Sequence, residues 1–128
     1  MVELRDNPLD TGNITTVENS RDIPFQVQRV YYLYDVPTDS SRGAHAHREL
    51  QQLIVAPCGQ FELVLDDSQS KRTFTLDHPR KAVHVVPGIW REINCFSIGA
   101  VCLVLASHPF DEADYIRQYH TFIEFKRK

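Results

Sequence analysis

Between residues 25 and 107 the chain is cut into short β-type runs, each closed by a turn signal before it reaches the length of an ordinary helix. "FQVQRVYYLY" is aromatic and alternates. "LQQLIVAP" and "QFELVLDD" flank a Pro-Cys-Gly turn, "SKRTFTLD" follows the polar turn "DDSQ", and then come "KAVHVVP", a shorter run near "REINCFS", and "GAVCLVLAS". About seven short strands joined by close turns, with no long amphipathic segment among them, predict an all-β barrel or sandwich and disfavour a doubly wound fold. One helix is expected, over "FDEADYIRQYHTF" at 110–122, with Asp111 as its cap and an apolar face through Ala113, Ile116 and Tyr119 or His120. Residues 1–22 form a polar segment leading into the first of these strands, and 23–128 form a single domain. A chain of 128 residues is long enough for one core and too short for two.

Composition removes several function classes. Fourteen basic against 17 acidic residues, net charge −3, and no basic block beyond the closing "FKRK" give no footprint for nucleic acid. The longest apolar stretches are about half of what a membrane span needs, and "MVELRDNPLD" lacks the basic start and apolar run of a signal peptide. A cytoplasmic protein with no membrane partner is expected. Cysteines at 58, 95 and 102 are odd in number and lack C-x-x-C spacing, so neither a disulfide framework nor a zinc knuckle is indicated; Cys58 and Cys102 read as small hydrophobes within strands.

The chemistry centres on "RGAHAHRELQQ", residues 42–52. On a strand, residues i and i+2 share a face, so His45 and His47 project together while Ala46 points away. For an arbitrary H-x-H the plain reading is two exposed or structurally bonded histidines. Here the pair is similar to the start of the metal site in the cupin superfamily, whose first motif continues to a Glu and then a Gly; Gln52 and Gly59 stand at those places. "PGIWRE" puts Arg91 where the third histidine of a cupin would be. A Gln amide is a weak neutral ligand, and a guanidinium has no lone pair to offer. The expectation is a pocket without metal, in which a cation attracts phosphate, carboxylate or a developing enolate.

Four segments together, "IPFQVQRVYYLYDVP", "RGAHAHRELQQLIVAPCGQFELVLDD", "VPGIWREI" and "CLVLASHPFDEADYIRQY", strongly resemble the sugar-nucleotide 3,4-ketoisomerases, cupins that act on dTDP-4-oxo-6-deoxy-D-glucose. The resemblance runs from about Ile23 to Phe125 and implies a double-stranded β-helix, or jelly roll, with a short C-terminal helix, assembled as a homodimer. It implies an isomerase that moves the ketone from C4 to C3 through an enediolate without a cofactor, in the synthesis of a dTDP-3-amino-3,6-dideoxyhexose. His45 is then the principal base and His47 its partner, dividing the carbon proton from those on oxygen. Tyr31 and Arg91 offer donors to the enediolate. Since Tyr31 and Tyr32 point to opposite faces, one of them faces the pocket, and the same holds for Gln51 and Gln52, with Gln52 assigned to substrate and the other to solvent. Arg42 reads either as a phosphate contact or as a surface residue, and His84 as a pocket or rim group. Trp90 and Phe96 read as packing, Tyr115 and Arg117 as anchors of the closing helix. Two other classes stand beside this reading: a metal-dependent cupin enzyme, which would bind stoichiometric metal, and a sugar-nucleotide-binding cupin without turnover.

Overall fold

A computed structural model describes residues 1–128, the side chain of Leu9 excepted. Its strands are β1 (Val2–Glu3), β2 (Asn7–Leu9), β3 (Gly12–Ile14), β4 (Arg29–Leu33), β5 (Arg42–His47), β6 (Gln52–Cys58), β7 (Phe61–Asp66), β8 (Lys71–Leu76), β9 (Lys81–Val85), β10 (Trp90–Asn94), β11 (Val101–Ala106) and β12 (Tyr115–Ile116), with one helix, α1 (Tyr119–Lys126). Two antiparallel five-stranded sheets, in the orders β1-β9-β6-β11-β4 and β12-β5-β10-β7-β8, make the jelly roll; β2 and β3 form a separate hairpin.

The space between the sheets is filled from inward positions of both, among them Ile54, Phe61, Leu63, Val83, Val85, Ile93 and Val104. Beyond that central core, each sheet is also covered on its outer face. On the first, Leu53, Val55, Ala82 and Leu105 pack with Leu4 and Ile23 from the N-terminal segment. On the second, Ala46 and Trp90 pack with Ile116 and Phe122. The two outer covers explain why "QLIVA" of β6 does not alternate: every residue from Gln52 to Ala56 is buried, even positions inward and odd positions under the N-terminal segment. That segment is held by β1, which pairs with β9, and by an ion pair from Arg5 to Asp22.

The helix expected at 110–122 divides into three pieces. Asp111 does cap, accepting from the Ala113 N–H, but what it caps is a single 3₁₀ turn, Glu112–Asp114. Tyr115 and Ile116 then run extended, paired with His47 and Ala46, and the α-helix begins only at Tyr119. The reason is an open edge. The outer side of β5 has unpaired N–H and C=O groups, and two strand residues satisfy them where a helix could not. Cys58 also departs from expectation: it is the last residue of β6, still paired with Val101, and is exposed, whereas Cys102 is fully buried in the central core.

The tightest backbone approach is at the β6–β7 turn. Gly59 has φ +70°, and a Cβ there would lie 2.7 Å from both Ala100 Cα and Ser97 Oγ. Gly59→Ala combines left-handed strain with an overpacked contact, and should lower stability by roughly 2–5 kcal/mol, read as a fall in the urea unfolding midpoint.

Candidate active site

One open end of the sandwich, between β4 of the first sheet and β5 of the second, holds a cavity of about 340 Å³. Alternation delivers most of its lining: Tyr31 and Leu33 from β4, Gln52 and Ile54 from β6, Arg91 and Ile93 from β10, and His45 from β5. Arg42 arrives differently. It is three residues before His45, so simple alternation would send it to the opposite face. Yet His45 pairs with Arg91 while Arg42 pairs with Ile93, so β5 spends one residue more than β10 across this interval. The extra residue forms a bulge at Gly43, whose φ of +73° is the left-handed geometry such a bulge requires. Arg42 thereby joins His45 at the cavity.

Arg91, Gln52 and Tyr31 form one hydrogen-bonded chain. Arg91 is 1% exposed; its Nη1 donates to Gln52 Oε1 and its Nη2 donates to the Ile89 carbonyl at 3.0 Å. A guanidinium has only donors, so it fixes the Gln52 amide with oxygen toward arginine and nitrogen outward. Gln52 Nε2 then donates to the Tyr31 hydroxyl oxygen at 3.1 Å. The phenolic O–H is left as a donor for whatever enters the cavity. Burial pushes the Arg91 guanidinium down to about 10, still cationic at neutral pH, and pushes the Tyr31 phenol up.

A second chain runs through the histidines. His45 Nε2 and His47 Nε2 are 3.0 Å apart, and His47 Nδ1 is 3.0 Å from Asp114 Oδ2. His45, 9% exposed, lines the cavity; His47, 0% exposed, lies behind it. The Tyr115 ring packs on both, with centroids 4.9 Å from His45 and 4.4 Å from His47. Burial and then the Arg91 charge press both imidazoles down, His45 to about 2 and His47 to about 3. In the resting protein both rings are neutral, each with one ring nitrogen bearing a lone pair.

Further arginines border the cavity. Arg29 lies with its guanidinium carbon 4.6 Å over the Tyr31 ring and 5.3 Å over that of Phe110, and its buried Nη1 has no hydrogen-bond partner among the described residues. Arg117 is paired through Nη2 with Glu112 at 2.8 Å and stacks over Tyr115. With Arg42, these make a cationic mouth.

The structure thus brings His45, Tyr31, Arg42, Gln52 and Arg91 to one cavity, with His47 one ring removed. Tyr32 points outward, and so does His84, which meets Phe25 and has its Nε2 2.8 Å from Gln51 Oε1. Gln51 is therefore bonded to a side chain and not simply solvated. Trp90 and Phe96 do pack, Trp90 against Phe122 and Phe96 against Phe61. Sequence reasoning missed Arg29 and Asp114, and gave Tyr115 to a helix. The closing motif "DEADYIR" carried the signal for Asp114 and Tyr115, but its helix-like composition concealed that it lies along the histidine strand.

A jelly roll with two histidines two residues apart on one strand, Arg on the strand beside it and Gln on a strand of the opposite sheet, is the scaffold of a cupin enzyme. Comparison gives the narrower class: the chain belongs to the FdtA family (WxcM-like, C-terminal), whose model it matches over residues 1–127. It is 40% identical over 117 residues, 91% of this chain and 84% of the relative, to the TDP-4-oxo-6-deoxy-α-D-glucose-3,4-oxoisomerase of Aneurinibacillus thermoaerophilus. A 3,4-ketoisomerase from Helicobacter canadensis superposes with TM-score 0.97 at 36% identity, covering 99% of this chain and 96% of that one. A histidine-to-asparagine variant of the 3,4-ketoisomerase QdtA from Thermoanaerobacterium thermosaccharolyticum, in complex with TDP-4-keto-6-deoxyglucose, superposes with TM-score 0.96 at 34% identity, covering 98% and 91%.

The depressed histidines set an acid limit on stability. An unfolded chain takes up protons on His45 and His47 near the ordinary value of 6.5, while the folded chain does so only near 2 and 3. Below pH 6.5 the unfolded state therefore binds more protons, so this contribution is fully present above pH 6.5 and is lost as pH falls toward 3. Urea midpoints measured from pH 7 down to pH 4 should decline, and the decline should be shallower in a His45→Gln, His47→Gln double variant.

Proposed function

We propose that this chain is a sugar-nucleotide 3,4-ketoisomerase that converts dTDP-4-oxo-6-deoxy-D-glucose into a dTDP-3-oxo-6-deoxyhexose. The observation that carries the reading is a neutral His45 ring at the cavity, on the strand paired with that of a buried cationic Arg91, with the Tyr31 O–H left free beside them. The reaction is redox-balanced within the sugar: the C3 alcohol is oxidised as the C4 ketone is reduced, so no external oxidant or cofactor enters.

His45 removes the C3 proton, which the adjacent carbonyl acidifies, and the electron pair moves into an enediolate. A base whose folded value lies near 2 holds a proton well only when negative charge forms beside it, and the enediolate supplies that charge. Tyr31 and Arg91 donate toward the enediolate oxygens, with Gln52 fixing the direction of the tyrosine hydroxyl. His45 returns its proton to C4 while the Tyr31 hydroxyl gives its proton to the C4 oxygen and takes up that of the C3 hydroxyl, leaving a C3 ketone and a C4 alcohol. Arg42 and Arg29 at the mouth suit the diphosphate of the nucleotide. The product feeds an aminotransfer at C3, giving a 3-amino-3,6-dideoxyhexose. A charged, membrane-impermeant substrate supports a cytoplasmic reaction.

Against a metal-dependent cupin stands the donor set. Among the described residues no three His, Cys, Asp or Glu side chains are arranged to hold a metal ion, and Arg91 lines the cavity with a charge of the wrong sign. A homodimer is proposed from the edge strand β4, whose outward Val30 and Tyr32 are exposed, Tyr32 at 59%, with Tyr34 following at 63%. Sedimentation should give about twice the 14.8 kDa chain mass, with Tyr32→Glu shifting the protein toward monomer.

Proton NMR of metal-stripped protein with dTDP-4-oxo-6-deoxyglucose in deuterated water should show the 3-oxo product, with deuterium exchange at C3 or C4. The C4 coupling constants of that product define its stereochemistry. His45→Ala should lower kcat by at least roughly 10²–10⁴-fold while leaving nucleotide binding near wild type. Turnover that returns only with added metal, or that survives in His45→Ala, would remove this mechanism.

A further inference from the structure

Both oxygens of Asp114 are already acceptors for backbone donors. Oδ1 receives the Glu49 N–H at 2.8 Å and Oδ2 the Leu50 N–H at 3.3 Å. The backbone of Asp114 is tied to the same segment, its carbonyl accepting from the Arg48 N–H at 3.0 Å. The carboxylate is therefore fixed on the chain just after His47 and turned to receive hydrogens. With His47 Nδ1 3.0 Å from Oδ2, the shared hydrogen resides on the ring nitrogen. A neutral imidazole has one hydrogen, so Nε2 of His47 is then bare.

The consequence passes along the chain of rings. A bare His47 Nε2 lies 3.0 Å from His45 Nε2, and two bare nitrogens would repel at that distance, so His45 carries its hydrogen on Nε2 and donates it to His47. The Nδ1 of His45 is left with its lone pair and has no hydrogen-bond partner among the described residues, on a ring that borders the cavity. From this geometry we propose that Asp114 is a positioning residue: through His47 it selects the His45 tautomer whose Nδ1 is the base. The proposal rests on the isomerase reading for the identity of the reaction, but the direction of the hydrogens rests on the donors and acceptors alone.

His47 does not touch the substrate in this arrangement. It is fully buried, between Asp114, His45 and Tyr115, so the division of labour in which it handles the substrate oxygens does not fit its position. When His45 Nδ1 takes the C3 proton, the imidazolium formed keeps its Nε2–H on the His47 lone pair, and Asp114 polarises that lone pair from behind. The proton on Nδ1 is then the one returned to carbon at C4. The C3 hydroxyl proton reaches the C4 oxygen through the Tyr31 O–H in the cavity, so no hydrogen has to leave the Asp114–His47 pair during the cycle.

Asp114→Asn tests this, because an asparagine can keep an oxygen on one backbone N–H while offering its NH₂ to His47 Nδ1, which reverses the hydrogen pattern. With dTDP-4-oxo-6-deoxyglucose, kcat should fall by roughly 10²- to 10⁴-fold with KM changed by no more than about threefold. The second measurement does not depend on the variant folding: ¹⁵N NMR of histidine-labelled wild-type protein at neutral pH should find His47 protonated on Nδ1 and bare on Nε2, and His45 bare on Nδ1. A wild-type kcat in Asp114→Asn, or a His47 ring protonated on Nε2, overturns the proposal. The ring tautomers report on the relay whether or not the wild-type protein turns over this sugar, so a failed substrate assay counts against the isomerase reading and not against the relay.

Discussion

A guanidinium can only donate and a carboxylate can only accept, and the cavity is lined by two hydrogen-bonded chains that begin at one of each. Arg91 forces the Gln52 amide into one orientation, and Gln52 leaves the Tyr31 O–H pointing away as a donor. Asp114 starts the other chain with the opposite polarity. Together the two ends place a hydrogen-bond donor and a lone-pair base at the same space. Acid–base chemistry needs both there, and water, which offers donors and acceptors without preference, cannot hold them apart.

Such chains need a dry and rigid surround, and the covers on the two sheets help to provide it. The central core alone would leave β5 and β6 with bare outer faces. The N-terminal segment closes the outer face behind β6, while Ile116 and Phe122 close the one behind β5 and β10. The same closing segment that buries Ala46 delivers Asp114 and Tyr115 to the histidines, so the outer cover of the sheet and the contacts to the imidazoles are one stretch of chain. Low dielectric is the shared cause of the depressed imidazoles and of the buried guanidinium that holds them there.

The inward set His45, Tyr31, Gln52 and Arg91 was legible because strands have a period of two: once one face of each run is taken as inward, its chemistry can be read off the sequence. Arg42, offered as a phosphate contact, could not be placed at the cavity by alternation, because a bulge at Gly43 changes the parity of β5 relative to β10. Asp111 was rightly seen as a cap, but composition could not tell a full helix from a single turn followed by a strand. What decided between them was the open edge of β5, which belongs to another part of the chain.

By itself the sequence determined an all-β class of short strands and a histidine pair sharing one strand face, because alternation and turn residues are local properties; the jelly roll came from the family resemblance. Only the tertiary structure decided that Asp114, 67 residues beyond His47, stands against its ring, and that His47 is hidden while His45 meets the cavity. Burial and hydrogen-bond direction depend on what the rest of the chain places alongside a residue, and strand parity says nothing about which distant segment will lie there.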